Sequence, residues 1–199
     1  MTTAPHIVGI GGTTRVGSST ERALLAALES ARSRGATTTA FLGADLAQMP
    51  MYAPEDPART ETAERFCAEV ARADGFIIAS PAYHGGVSGL VKNALDYVED
   101  LREAERPYFD GRAVGCIATG AGWQGVVVTL GALRAITHSL RGWPTPLGAG
   151  CNSLEKPFGP DGTVTDEKLA WQLETVGAEV VQFARAQAAA AASVELVTA

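Results

Sequence analysis

Short apolar runs alternate along the chain with longer stretches whose apolar residues return every three to four positions. His6 to Ile10 is a short apolar run closed by Gly11-Gly12, and it predicts a first strand. Leu24, Ala27, Leu28 and Ala31 recur at helical spacing and predict a helix over about Ser19 to Ser33. Ser18 and Glu21 form a capping box at its start, and Gly35 ends it. Thr37 to Leu42 is β-branched and apolar, which predicts a second strand. A long loop with Met49, Pro50, Met51, Tyr52 and Pro54 follows. Ala63, Phe66, Cys67 and Val70 then mark a second helix. Gly75 to Ser80 is continuously apolar through Phe76, Ile77, Ile78 and Ala79, as in a strand buried on both faces. Val91, Ala94, Leu95 and Val98 define a third helix, Ala113 to Ala118 a fourth strand, and Leu130, Leu133, Thr137 and Leu140 a fourth helix. Thr145 to Gly150 is the fifth strand; Pro146 removes a ladder donor there, so this strand is expected to be short or at an edge. Leu169, Leu173, Val176, Val180 and Phe183 define the last helix. The alanine-rich Ala186 to Ala199 is expected to fray or extend it.

Strands alternating with helices predict an α/β fold, with a parallel sheet covered on both faces. Five strands suit the doubly wound order 2-1-3-4-5 in one domain over 1–185, with 186–199 as a tail. In such sheets ligands sit beyond the carboxyl ends of the strands, where the order reverses. The loops after strands 1, 3 and 4 are therefore the places to look for chemistry.

The whole-chain numbers narrow the partners. Of the 199 residues, 46% are hydrophobic and 19% charged, ordinary for a globular domain. A net charge of −6 argues against nucleic acid or an anionic membrane as the main partner. No apolar run is long enough to span a bilayer. Met1 to Pro5 lacks the basic and apolar regions of a signal peptide. Cys67, Cys116 and Cys151 stand far apart and read as reduced thiols, so a cytoplasmic location is expected. The three histidines are not closely paired, and no metal site is expected.

After strand 1 comes Gly11-Gly12-Thr13-Thr14-Arg15-Val16-Gly17-Ser18-Ser19-Thr20. Small residues let the backbone turn and present N–H groups. Five hydroxyls, one arginine and the N-terminus of a helix make a phosphate site. No Gly-Lys-Ser/Thr ends the loop, so it is not a P-loop, and the G-x-G-x-x-G fingerprint lacks its last glycine. A hydroxyl-rich loop suits a monophosphate that needs donors but no magnesium. A plain capped turn would also use Ser18; the position at a switch point favours phosphate. Glu21 is an unfavourable neighbour for an anion unless it points to solvent.

After strand 3 comes Ser80-Pro81-Ala82-Tyr83-His84-Gly85-Gly86-Val87-Ser88-Gly89, with planar Tyr83 and His84 beside glycines that allow close approach to a ring. Ser88 suits the N-cap of the third helix. Pro81-Ala82-Tyr83, followed by Ser88-Gly89-Leu90-Val91-Lys92-Asn93-Ala94-Leu95-Asp96, resembles the signature of the NADPH-dependent FMN reductases. The stretch from Gly12 to Thr20 is similar to that family's phosphate loop, with threonine at 13 and 20 where members often carry serine and asparagine. Met49 to Tyr52 resembles the loop after its second strand. The resemblance runs from about Ile7 to Gly122 and thins after Arg141. It implies a flavodoxin-like three-layer sandwich with a five-stranded parallel sheet. It further implies that Thr13, Arg15, Ser18 and Thr20 bind the FMN phosphate. Pro81, Ala82, Tyr83, His84 and Gly85 would border the ribityl chain and the ring, and Thr119, Gly120, Ala121 and Gly122 the ring's other edge. Trp123 either shapes a substrate pocket or serves a buried or interface role.

The chemistry so implied is hydride transfer from NADPH, or NADH, to flavin N5, with the protein supplying orientation and electrostatics. Reduced FMN would serve a partner monooxygenase, and a homodimer or homotetramer is expected. Two alternatives share the fold: bound FMN that reduces quinones, azo compounds or chromate, and an electron carrier of the flavodoxin type. Carriers are usually more acidic and stack aromatics on both faces of the ring. A non-flavin signalling module would want an acidic cluster near Ile10 to Thr13, and none is there.

Overall fold

The computed structural model describes residues 4–198, with side chains through residue 193. The first residues of the leading segment, 1–3, and Ala199 of the tail lie outside the described residues. The strands are β1 (His6–Gly11), β2 (Thr37–Phe41), β3 (Gly75–Tyr83), β4 (Gly86–Val87), β5 (Ala113–Gly120), β6 (Trp143–Pro144) and β7 (Ala149–Asn152). The helices are α1 (Ser19–Ser33), α2 (Gly43–Leu46), α3 (Glu61–Arg72), α4 (Gly89–Asp96), α5 (Trp123–Ser139) and α6 (Glu167–Thr198). Short 3-10 turns cover Tyr97–Leu101 and Ser153–Glu155.

The main sheet runs β2-β1-β3-β5-β6 and is parallel throughout, with β7 also paired to β5 and β4 antiparallel to β3. This is the flavodoxin-like order 2-1-3-4-5, with one correction. The sheet has seven strands rather than five, because the last position is split and a two-residue hairpin strand is added. Trp143 N and Thr145 N donate to Arg112 O and Val114 O at 2.9 and 3.0 Å, so Pro144 and Pro146 face the open edge of the sheet, where a missing N–H costs no ladder bond. The chain bows out after Thr145, whose hydroxyl donates to Leu147 O at 2.8 Å, and re-pairs at Ala149 opposite Ile117.

Alternation along the buried strands feeds two cores. Val8, Ile10, Phe76, Ile78, Val114 and Cys116 pack with Phe66, Val70, Val91 and Leu133 on one side. Ile7, Ile77, Ala79 and Ile117 pack with Leu24, Leu28, Leu173, Val176 and Val180 on the other. α6 lies close on that second face because Gly115 is bare. A Cβ there would stand 2.4 Å from Val176 Cγ1.

Several element ends differ from the sequence expectation, β5 running on to Gly120 and β2 stopping at Phe41 among them. β3 continues past Ser80 to Tyr83, with Pro81 opposite Thr119. Ala79 accepts from Gly12 N across the β1 side, so by alternation Pro81 also faces that side, where β1 has already ended. The missing proline donor therefore leaves no ladder acceptor empty. α5 begins at Trp123, seven residues before its first predicted apolar marker, Leu130. The third helix gives way at Asp96 to the 3-10 turn that carries Val98. The alanine-rich segment from 186 onward continues α6. Arg112, fully buried, was not singled out by the sequence. It donates to the carbonyls of Val70 (2.8 Å), Arg106 (3.0 Å) and Tyr108 and lies over the Phe76 ring. Burial pushes its guanidinium down to about 10.

Candidate functional site

The turn after β1 is forced tight against β3. A Cβ on Gly11 (φ +152°) would lie 2.1 Å from the Ala79 carbonyl oxygen, so only glycine passes here. Beyond it, Thr13 Oγ1 accepts from Arg15 N and donates to Arg15 O, both at 3.2 Å. Ser18 is the N-cap of α1 and accepts from Glu21 N at 3.3 Å. Only this half of the expected capping box is formed among the described hydrogen bonds. Ser18 is buried while Arg15 is exposed, so the loop presents a fixed hydroxyl at its base and a guanidinium at its rim.

The segment after β3 is a hairpin. Tyr83 pairs with Gly86, and the two residues between them, His84 (φ +54°) and Gly85 (φ +77°), both take the left-handed conformation. This is the geometry of a type I′ turn, whose twist matches the strands it joins. Ser88 caps α4 by accepting from Val91 N at 3.3 Å, and its own N donates to Ser80 Oγ at 2.9 Å. The hairpin is thereby pinned to the helix behind it. Tyr83 stands 60% exposed at the tip.

The third wall comes from the end of β5. Thr119 Oγ1 lies 2.6 Å from Thr20 Oγ1, a buried bond that ties this wall to α1. Two hydroxyls bring two protons and the bond uses one, so the pair keeps one donor. Ser153, just past β7, donates to the Gly120 carbonyl at 3.1 Å. Trp123 turns its indole away, donating to Glu155 Oε1 at 2.8 Å, while Asn152 Nδ2 donates to the same oxygen at 2.9 Å.

Together these walls enclose a cleft of about 580 Å³ at the carboxyl ends of β1, β3 and β5. Thr13, Arg15, Ser18 and Thr20 line one end, Pro81, Ala82, Tyr83 and His84 the middle, and Thr119, Gly120 and Ala121 the far side. Gly85 and Gly122, which the sequence also placed here, are not among the lining residues: Gly85 completes the turn behind His84, and Gly122 caps α5. Trp123 likewise stands outside it. Glu21 is absent from the lining, which removes the objection to an anion.

The structure adds Thr14, Ser19 and Ser153 to the cleft. The first two could have been read from the hydroxyl-rich loop. Ser153 carried no signal, because its place depends on where β7 re-pairs.

The motif from Ser88 to Asp96 has a second duty. Asn93, buried on α4, donates from Nδ2 to Pro50 O (2.8 Å) and Met49 O (3.3 Å) and accepts from Tyr52 N (2.8 Å). It thus clamps the loop after α2. Asp100 extends the clamp by accepting from Arg59 (2.6 and 2.9 Å) and from the Tyr52 hydroxyl (3.0 Å). Hydrogen bonds from Arg59 hold the Asp100 carboxyl below the usual carboxylate range. The cysteines take no part in the cleft. Burial pushes the thiols of Cys67, Cys116 and Cys151 up to about 11, which keeps them protonated and unreactive at neutral pH.

Residues 5–150 match the family model of the NADPH-dependent FMN reductases. A 2-hydroxy-1,4-benzoquinone reductase of Burkholderia sp. is 31% identical over 97 residues, 46% of this chain and 50% of that one. The chain spans about half the length of the curated relatives it matches. Among solved structures, the flavoenzyme NAD(P)H:(acceptor) oxidoreductase FerB from Paracoccus denitrificans superposes with a TM-score of 0.75 at 19% identity, over 92% of this chain and 99% of that one. A flavodoxin, WrbA-like protein from Agrobacterium tumefaciens superposes at 0.64 with 20% identity, over 92% and 99%. These two likenesses show the shared fold. The family match covers β1 through the first half of β7 and every loop that walls the cleft except the turn carrying Ser153. On that ground the chain belongs to the NADPH-dependent FMN reductase family.

Proposed function

We propose that this protein binds FMN in the cleft at the strand ends and uses NADPH, with NADH as a weaker alternative, to reduce it. The observation that carries the reading is the cleft's polarity. One end gathers hydroxyls, a guanidinium and a helix N-terminus, while the other is walled by Pro81, Ala82, Tyr83 and Ala121. A phosphate suits the first end and a flat, largely apolar ring the second. The volume of about 580 Å³ lies within the ~300–1,000 Å³ usual for cofactor sites.

Bound there, FMN supplies two-electron redox chemistry between a nicotinamide nucleotide and an acceptor. The protein's own work is binding and orientation. Ser18 and the first N–H groups of α1 hold the phosphate, and Arg15 neutralises it from the rim. The hairpin would set Tyr83 beside a bound ring, and the buried Thr20–Thr119 bond fixes the spacing between the loop after β1 and the far wall. Tyr83 is the one large aromatic lining the cleft, since Trp123 is turned toward Glu155. That leaves a ring face open to a nucleotide or an acceptor. It favours an enzyme over a carrier that sandwiches its flavin between aromatics.

Two outlets for the electrons follow from an open face. One is free flavin, with delivery to a partner monooxygenase; the other is direct reduction of a quinone, azo compound or chromate. We further propose a cytoplasmic protein that self-associates as a homodimer or homotetramer. Its unpaired thiols support the first point, and the exposed Val127 and Val128 on α5, on the same helix as Trp123, support the second. No described helix is long and apolar enough to cross a membrane.

The deciding experiment mixes the purified protein with FMN and NADPH and follows nucleotide absorbance. Oxidation well above the protein-free rate is expected, and no oxidation would leave the carrier. Replacing free flavin with a quinone separates the two outlets. Arg15→Ala is expected to weaken FMN binding by about tenfold and riboflavin binding little. Equal losses for both ligands, measured by fluorescence titration, would place Arg15 outside the phosphate site.

A further inference from the structure

A side pocket of about 320 Å³ opens beside the cleft, and the two share Ser19 and Ser153 as a common border. Its own lining adds Arg22, Lys156 and the run Pro157 to Pro160, none of which faces the cleft. Arg22 is held in place by a hydrogen bond from Nη1 to the Gly159 carbonyl at 2.9 Å. Its Nη2 and Nε are directed to the gap between Gly17 and Gly162. A Cβ on either glycine would come within 3.8 Å of the guanidinium, and no further acceptor is bonded to it among the described residues. Lys156 is held at the rim by the left-handed turn that ends the Ser153–Glu155 segment (φ +51°).

The chain as a whole is acidic, and eight of its sixteen lysines and arginines are in described ion pairs. Arg32, Arg34, Arg59, Arg65, Arg72, Lys92, Arg102 and Arg106 each meet a carboxylate. Arg22 and Lys156, like Arg15, Arg134, Arg141, Lys168 and Arg185, form no ion pair among the described residues, and of these only Arg22 and Lys156 line the side pocket. Asp161 in the same loop accepts at Oδ1 from Thr163 N and Thr163 Oγ1, at 3.1 and 2.7 Å, and these bonds, with the Arg22 charge as a smaller cause, hold its carboxyl below the usual carboxylate range. Two cations outside any described ion pair, two serine hydroxyls and a proline–phenylalanine wall meet in one recess next to the proposed flavin cleft. That combination fits a phosphate dianion carried on an apolar ring system.

We propose that this side pocket takes the adenosine 2′-phosphate of NADPH and is what lets the protein distinguish NADPH from NADH. The inference rests on the flavin-reductase reading, and it names a part of the donor site which that reading leaves open. Arg22, fixed by Nη1 on the Gly159 carbonyl, provides a guanidinium charge at the pocket wall. Lys156 adds a mobile charge, Ser19 and Ser153 add hydroxyl donors, and Pro157 and Phe158 flank the adenosine. NADH would leave both cations without a partner.

The test titrates the full-length protein, saturated with FMN, with adenosine 2′,5′-bisphosphate and with 5′-AMP, by calorimetry. Binding of the bisphosphate about tenfold or more tighter than 5′-AMP is expected. Lys156→Asn keeps a residue that tolerates the left-handed turn and removes the charge. It and Arg22→Gln should each cut bisphosphate affinity about tenfold while leaving 5′-AMP and FMN affinities unchanged. A melting curve for each variant checks the fold. In turnover, the same variants should raise KM for NADPH and leave KM for NADH unchanged. Equal binding of the two adenosines, competition by inorganic phosphate as strong as by the bisphosphate, or a parallel loss of FMN affinity would each overturn the proposal. Failure of the wild type to bind FMN would instead sink the flavin reading, which the adenosine titration repeated without flavin keeps separate.

Discussion

Single residues carry most of what makes the cleft specific, and the Thr20–Thr119 bond is the clearest case. The sequence marks both as hydroxyls of separate loops, 99 positions apart, and nothing in it says that they meet at 2.6 Å. A buried hydroxyl stripped of its partner costs about 1–3 kcal/mol, whereas removing both partners costs far less. Thr119→Val is therefore expected to lower stability by about 1–2 kcal/mol. Adding Thr20→Val should recover much of the loss. Denaturant melts of the wild type, both single variants and the double variant measure the coupling. Additive losses would show that the bond holds nothing. The placement of Arg15 and Ser18 on the cleft, by contrast, was legible from the chain alone, because strand, turn and capped helix follow one another in a single short stretch. That placement follows from local order, which short-range sequence records.

At the scale of elements, the shape of the loop after β1 depends on a helix that the sequence did not announce. α2 is four residues long, too short for periodicity to reveal, and its first residue supports Thr13. A Cβ on Gly43 would stand 1.9 Å from the Thr13 carbonyl oxygen, a backbone atom that cannot swing aside. Gly43→Ala is expected to displace the loop and weaken FMN binding by about tenfold or more. The check is FMN titration beside a circular-dichroism melt; unchanged affinity would mean the loop tolerates the shift. The clamp on the following loop adds a pH dependence. Arg59 is the main cause of the lowered Asp100 carboxyl, which works against burial, and the Tyr52 hydroxyl adds to it. A carboxylate depressed in the folded state stabilises the fold above its ordinary range, and that stability is lost as pH falls through the folded value. Asp100→Asn should cost about 0.5–1 kcal/mol at pH 7, because the pair is partly solvated, and the cost should vanish as pH falls below the folded value. Urea melts across that window decide it, and a gap between variant and wild type that persists in acid would exclude this origin.

For the molecule as a whole, α6 closes the second face of the sheet and its contacts fade along its length. Val176, Val180, Val181 and Ala184 are buried, while residues 185–193 are exposed. Chains ended after residue 187 are expected to melt within about 2 °C of the full chain. Chains ended before Val176 should not fold, since they uncover Ile7, Ile77 and Ile117. Thermal melts of the two truncations test where the domain ends.

The sequence by itself determined the alternation of strands and helices, the parallel order and the loops that bear the site. Those features rest on periodicity and on short-range turn chemistry, which any stretch of ten residues expresses. Only the tertiary structure decided that the last strand breaks in two, that Ser153 enters the cleft and that Arg22 and Lys156 face a common recess. Each of these depends on residues far apart in the chain being brought together by packing, and local pattern holds no record of such distances.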